Sequence, residues 1–170
     1  MSVLPIVKYP DPRLKKLSRP VEGDPASLRE LVRDMFDTMY DAPGVGLAAP
    51  QVGLNLRIFV VDVSSHEEGP GPMVFINPEL VQGEGRILWE EGCLSVPDMM
   101  VQVPRMERVV MEGTDLEGRR FRVEATGLLA IALQHELDHL DGKLIIDRVS
   151  PLKRELYRKK RARESARMAG

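Results

Sequence analysis

Apolar residues Leu28, Leu31, Val32, Met35, Met39 and Tyr40 recur three and four positions apart, the spacing of one helical face. Asp24-Pro25 supplies an N-cap and a first-turn proline, and Pro43-Gly44 marks the stop. The nearly unbroken apolar run from Arg57 to Val63 predicts a buried strand. Ser64 to Pro72 is rich in Gly, Pro, Ser and Glu and predicts an exposed loop. Short strand-like runs follow at Val74–Ile76, Arg86–Trp89, Val101–Val103, Arg108–Glu112 and Arg119–Val123. Gly-rich or charged turns separate them, as in an antiparallel sheet. Thr126 to Leu140 is the strongest helical segment, with Thr126 placed to cap it and Gly142 placed to end it. Its stretch Leu128–Leu133 is apolar on every face, which assigns it to the core. Ser150-Pro151 opens a last helix with Leu152 and Leu156 on one face and basic residues elsewhere; Leu152, Leu156 and Tyr157 are its candidate anchors to the body. The pattern predicts an α+β fold: antiparallel β-sheets packed around a central helix, with an N-terminal and a C-terminal helix.

A length of 170 residues fits one domain with a sizeable core. We expect residues 1–150 to form that domain and residues 151–170 its basic helical tail. No apolar run approaches the roughly 20 residues that cross a bilayer. The start Met1-Ser2-Val3-Leu4-Pro5 lacks the charged-then-apolar layout of a secretory signal, so the expected location is the cytoplasm, with an organelle product of a trimmed precursor as the lesser alternative, and no membrane partner is expected. The single cysteine, Cys93, excludes an intrachain disulfide. From Ser150 onward eight basic and two acidic residues give a surplus of +6, so the net charge of −2 leaves −8 on the preceding body. Such a tail fits an anionic partner or a merely solvated helix.

The candidate chemistry lies where the central helix ends, in Gln134-His135-Glu136-Leu137-Asp138-His139. Residues four apart on a helix share a face, so both imidazoles can reach one metal ion, and Glu136 can stand beside its water. This makes the central helix a metal-binding one. A catalytic divalent metal usually takes three protein ligands and one water. The extension of this motif to a third histidine fails, because position 145 is Ile. His66 sits in the exposed loop. Cys93, in Glu90-Glu91-Gly92-Cys93-Leu94-Ser95-Val96-Pro97, is the best third ligand, and Asp147 and Glu155 stay open on spacing alone. A third segment, Gly44-Val45-Gly46-Leu47-Ala48-Ala49-Pro50-Gln51, is small and apolar. Its glycines allow close approach of a ligand backbone, or simply a tight turn.

Together, Gly44–Gln51, Glu91–Ser95 and Gln134–His139 resemble, in order, the three motifs of the bacterial-type peptide deformylases. The likeness runs from about Pro5 to the end of the body. It implies removal of the formyl group from the N-terminal formyl-methionine of newly made polypeptides, with release of formate. It also implies that Cys93, His135 and His139 hold Fe(II), replaceable by Zn(II), and that metal-bound water attacks the formyl carbon with Glu136 as general base and acid. Gln51 and the backbone N–H of Leu94 would bind the formyl oxygen. Val45, Gly46, Glu91, Gly92, Leu128 and Ile131 are the expected substrate-binding residues, with Val45, Leu128 and Ile131 around the methionine side chain. The expected partners are formyl-methionyl peptides, nascent chains and, through the basic C-terminal helix, the ribosome; DNA is not expected. One stretch departs from the family: Asp98-Met99-Met100 stands where many members carry a basic residue. Three rival readings are a zinc endopeptidase using a downstream carboxylate, a peptide- or RNA-binding protein with a structural zinc, and a Cys93–His135 nucleophilic pair.

Overall fold

A helix that is apolar all round has to be enclosed, and enclosing α2 (Gly127–Leu140) organises this fold. The computed structural model describes residues 2–169. Nine of the 14 residues of α2 are buried. One face packs against a five-stranded antiparallel sheet through Phe59, Val61, Phe75, Val109 and Met111. That sheet has the order β1-β2-β3-β6-β7. Its strands are β1 (Gly46–Ala48), β2 (Ile58–Val61), β3 (Met73–Glu84), β6 (Arg108–Thr114) and β7 (Arg120–Ala125). The remaining strands, β4 (Ile87–Cys93) and β5 (Val96–Arg105), pair only with each other as a hairpin. The architecture is α+β with antiparallel sheets and three helices, as the hydrophobic pattern predicts.

Two further apolar clusters flank this centre. Helix α1 (Arg29–Asp41) buries Val32, Met35 and Met39 against Leu47, Ile58 and Val60. The hairpin joins Val7, Tyr9 and Leu14 of the N-terminal segment, Leu144–Ile146, and Tyr157 of α3 (Pro151–Ala169).

The structure corrects several local expectations. Asp24 does cap, but it caps a 3-10 turn over Pro25–Leu28 that leads into α1. The segment Gly46–Ala48 is an edge strand paired with Phe59–Val61, a state too short to leave a period in the sequence. Strand β3 continues well past Ile76, because register shifts after Ile76 and Leu80 let it bend around Pro78. Gly142 (φ +74) does end α2, but Thr126 makes no capping hydrogen bond; Glu67, from the 64–72 loop, accepts the Leu129 N–H at 2.9 Å. Finally, Leu152 and Leu156 do not anchor α3, being 71% and 58% exposed. The docked stripe runs through Arg154, Tyr157 and Arg161, where the Tyr157 hydroxyl donates to Pro97 O (2.5 Å) and Arg161 Nε to Tyr9 O (3.3 Å). A tyrosine spans that contact better than leucine because its ring buries while its hydroxyl still finds an acceptor.

Candidate metal centre

Three ligand-bearing residues reach one point from two elements. His135 and His139 lie one turn apart on α2, with ring centroids 4.9 Å apart. Cys93 closes β4, just past a register shift in the hairpin. Its Sγ lies 3.3 Å from His139 Nε2, which is 3.2 Å from His135 Nε2. All three ligand atoms fall within 4.8 Å of one another. Among the described residues, no other trio of His, Cys, Asp or Glu converges in this way. The two open carboxylates are engaged elsewhere: Asp147 with Lys15 and the Leu144 N–H, and Glu155 with Arg158. His66 lines the same cleft, yet its Nδ1 faces the Ser65 hydroxyl and it stays outside the trio.

The surroundings prepare these atoms to bind a cation. His135 Nδ1 lies 2.8 Å from Glu91 Oε1. A carboxylate can only accept, so Nδ1 carries a proton, and Nε2 faces Cys93 and His139 as the atom that would give up its proton to bind a metal. Arg105 grips Glu91 with two bonds, Nε to Oε2 (2.7 Å) and Nη2 to Oε1 (2.9 Å), and donates through Nη1 to Asp138 on α2 (2.7 Å). Arg105 and Glu91 side chains are each 4% exposed. This bridge crosses a seam, because Cys93 belongs to the hairpin cluster and α2 to the sheet cluster.

Burial and the neighbouring charges of His135 and Arg105 hold His139 well below the usual histidine range. Burial also opposes charge on His135, but the hydrogen bonds it donates toward Cys93 and Glu91 outweigh it and raise that group. One neutral ring, one ring oriented by a carboxylate, and a thiol facing both form a donor set suited to a divalent ion of zinc or iron type.

Glu136 follows His135 on α2 and packs against Gly46. It is 4% exposed, and burial pushes its carboxyl up to about 7. Oε1 is buried without a hydrogen-bond partner. Oε2 presses on Gly46, where an added Cβ would come within 2.5 Å of it. Gly46 therefore makes the room that Glu136 occupies. Gln51 is held at both ends: its Oε1 accepts the Ala48 N–H (2.9 Å), and its Nε2 donates to Ser95 Oγ (3.1 Å) with Cys93 Sγ at 3.8 Å.

The cleft holds about 1010 Å³. Every expected substrate residue, Val45, Gly46, Glu91, Gly92, Leu128 and Ile131, lines it, as do Gln51, Leu94, Cys93, His135 and Glu136. Glu91 does so with its carboxylate already committed to Arg105 and His135. Sequence reasoning missed Arg105 and Asp138, whose partners lie 14 and 33 positions from Arg105 along the chain. An acid inside the histidine motif was the one available hint. It also missed Tyr40, Asp62 and Trp89 on the wall. Asp98, Met99 and Met100 line the cleft too, and among the described residues no Lys or Arg does.

Comparison with known proteins agrees with this picture. The family model described as polypeptide deformylase matches residues 3–155. The peptide deformylase of Thermodesulfovibrio yellowstonii is 53% identical over 160 residues, covering 94% of this chain and 97% of that one. The crystal structure of a peptide deformylase from Legionella pneumophila superposes with a TM-score of 0.89 at 46% identity, over 99% of this chain and 98% of that one. The Ehrlichia chaffeensis peptide deformylase in complex with actinonin gives 0.90 at 40% identity, over 96% and 98%.

Proposed function

The chain belongs to the peptide deformylase family, and from that premise we propose that it hydrolyses the N-formyl group of formyl-methionine at the start of new polypeptides, releasing formate. The observation that carries the proposal is the convergence of Cys93, His135 and His139 beside the buried, unpartnered Glu136. In this reading these three residues hold Fe(II), replaceable by Zn(II). Such an ion supplies Lewis acidity and lowers the pKa of a coordinated water toward ~7.

The chain's own residues perform the rest. Glu136 takes a proton from the attacking water and passes it to the departing amine, leaving formate and a free N-terminus. Gln51 Nε2 donates to Ser95 Oγ and, at 3.8 Å, to Cys93 Sγ; the second, longer bond is the one that gives way to the formyl oxygen. The backbone N–H of Leu94 joins it as the oxygen gains charge. Val45, Leu128 and Ile131 receive the methionine side chain. A formyl carbon carries no substituent beyond hydrogen, so a tight carbonyl site admits it and excludes acetyl or peptidyl groups. Residues 1–150 act as the catalytic unit, and the basic outer face of α3 is its contact with the ribosome. Among the described residues no helix is long and apolar enough to cross a membrane, and the proposed substrates point to the cytoplasm as the place of the reaction.

The test is formate release from formyl-methionyl peptides after anaerobic loading with iron or zinc. Wild-type protein should release it. Cys93→Ala, His135→Ala and His139→Ala should each lose metal and activity. Full metal content and turnover in Cys93→Ala would favour an endopeptidase-type ligand set and overturn the assignment.

A further inference from the structure

The 64–72 loop has no part in the reaction described above, yet its first residues are tightly built. Asp62 accepts the N–H and hydroxyl of Ser64 (3.0 and 2.6 Å) and, on its other oxygen, the Tyr40 hydroxyl (2.6 Å). The N–H groups of His66 and Glu67 both donate to Val63 O (2.9 and 3.1 Å). Val63 itself is buried. The segment thus leaves β2 as a fixed turn, with Asp62, Ser64, Ser65 and His66 on the wall of the cleft.

At its end, Glu67 reaches the first turn of α2. Oε1 accepts the Leu129 N–H at 2.9 Å, the bond a capping side chain at Thr126 would ordinarily make. Oε2 lies against Gly127, where a Cβ would meet it at 2.8 Å and where φ is +62. Only glycine fits that backbone and that approach comfortably. The start of α2 is shaped around a carboxylate supplied from 62 positions earlier in the chain. Leu128, between the two contacted residues, lines the cleft, as does His66 on the other side of Glu67.

We propose that Glu67 is a positioning residue for side-chain selectivity. By tying the loop to the first turn of α2, it sets where Leu128 stands relative to His66, and so the size of side chain the cleft admits after the formyl group. This rests on the deformylase reading. The metal trio lies further along the helix and on the hairpin, so the tether acts on selectivity and leaves metal binding alone.

The test compares kcat and KM for formyl-Met-Ala-Ser and formyl-Phe-Ala-Ser in zinc-loaded full-length protein, with metal content measured alongside. Glu67→Ala should cut the preference for methionine at least ~5-fold through KM, since a pocket misfit of this size is worth ~10- to 200-fold. Metal content and kcat for the methionine peptide should hold within about twofold. Glu67→Gln keeps an acceptor for Leu129 N–H and should keep most of the preference. If Glu67→Ala folds poorly, Glu67→Ala with Thr126→Asp restores a local cap without the tether, and the preference should remain low. An unchanged ratio in Glu67→Ala, an equal fall for both peptides, loss of metal, or a wild-type ratio in the double variant would each overturn the proposal. A wild type that releases formate from neither peptide would instead overturn the deformylase reading.

Discussion

Glu136 combines near-complete burial with an oxygen that has no partner in the fold. A buried polar atom left this way costs stability, which a protein tolerates where the atom has work with a ligand. Glu136→Gln keeps the shape and removes the proposed base. Turnover on formyl-methionyl peptides should fall ~100-fold or more with metal still bound; near-normal turnover would remove Glu136 from the mechanism. Arg105 is the second residue on which the site depends. Arg105→Met leaves Glu91 and Asp138 without their shared cation. Breaking a buried pair from one side typically costs ~3–5 kcal/mol, so urea unfolding of the metal-free protein should show a loss of that order. A loss below ~1 kcal/mol would mean that His135 and Arg148, which also contact these carboxylates, compensate for the missing cation.

At the scale of elements, α3 is held by a polar-aromatic stripe. The Tyr9 and Tyr157 rings pack 5.8 Å apart, and the Tyr157 hydroxyl bonds to Pro97. Tyr157→Phe should cost about 1 kcal/mol, the usual net value of one hydrogen bond. Leu152→Ala and Leu156→Ala, at exposed positions, should stay within ~0.5 kcal/mol of wild type. Thermal or urea unfolding of the three variants ranks them; a larger loss at Leu152 than at Tyr157 would contradict the docking seen here. The hairpin β4-β5 shows the same logic. It brings Cys93 to the histidines without joining the large sheet, held by its own apolar cluster and by Arg105.

For the molecule as a whole, the −8 body and +6 tail keep their sense in three dimensions. Lys159, Lys160 and Arg163 are exposed on α3, whereas Tyr157 and Arg161 face the body. Removing the whole tail would therefore also remove structural contacts to Pro97 and Tyr9. Charge reversal at Lys159, Lys160 and Arg163 is the cleaner test of the proposed ribosome contact. The triple glutamate variant should cosediment less with ribosomes at low salt and show a flatter salt dependence, while hydrolysis of free peptides stays near wild type. Equal cosedimentation would leave these side chains as a solvated face.

The sequence by itself determined the class of fold, the core helix and the ligand-bearing motifs, because these are local: a helical period, four-residue spacing on one face, and a lone cysteine in a motif of its own. It marked Gly46 as a place for close approach of a ligand backbone, whereas in the fold the Glu136 carboxylate takes that space. Tertiary structure alone decided that Asp147 and Glu155 stay out of the cluster, that Arg105 spans two apolar clusters, that Glu67 replaces Thr126 as the cap, and that Tyr157 rather than Leu152 or Leu156 docks α3. Each of these depends on partners brought together from distant parts of the chain, by burial that selects among many chemically equivalent carboxylates, hydroxyls and apolar side chains. Local periodicity carries no term for that selection.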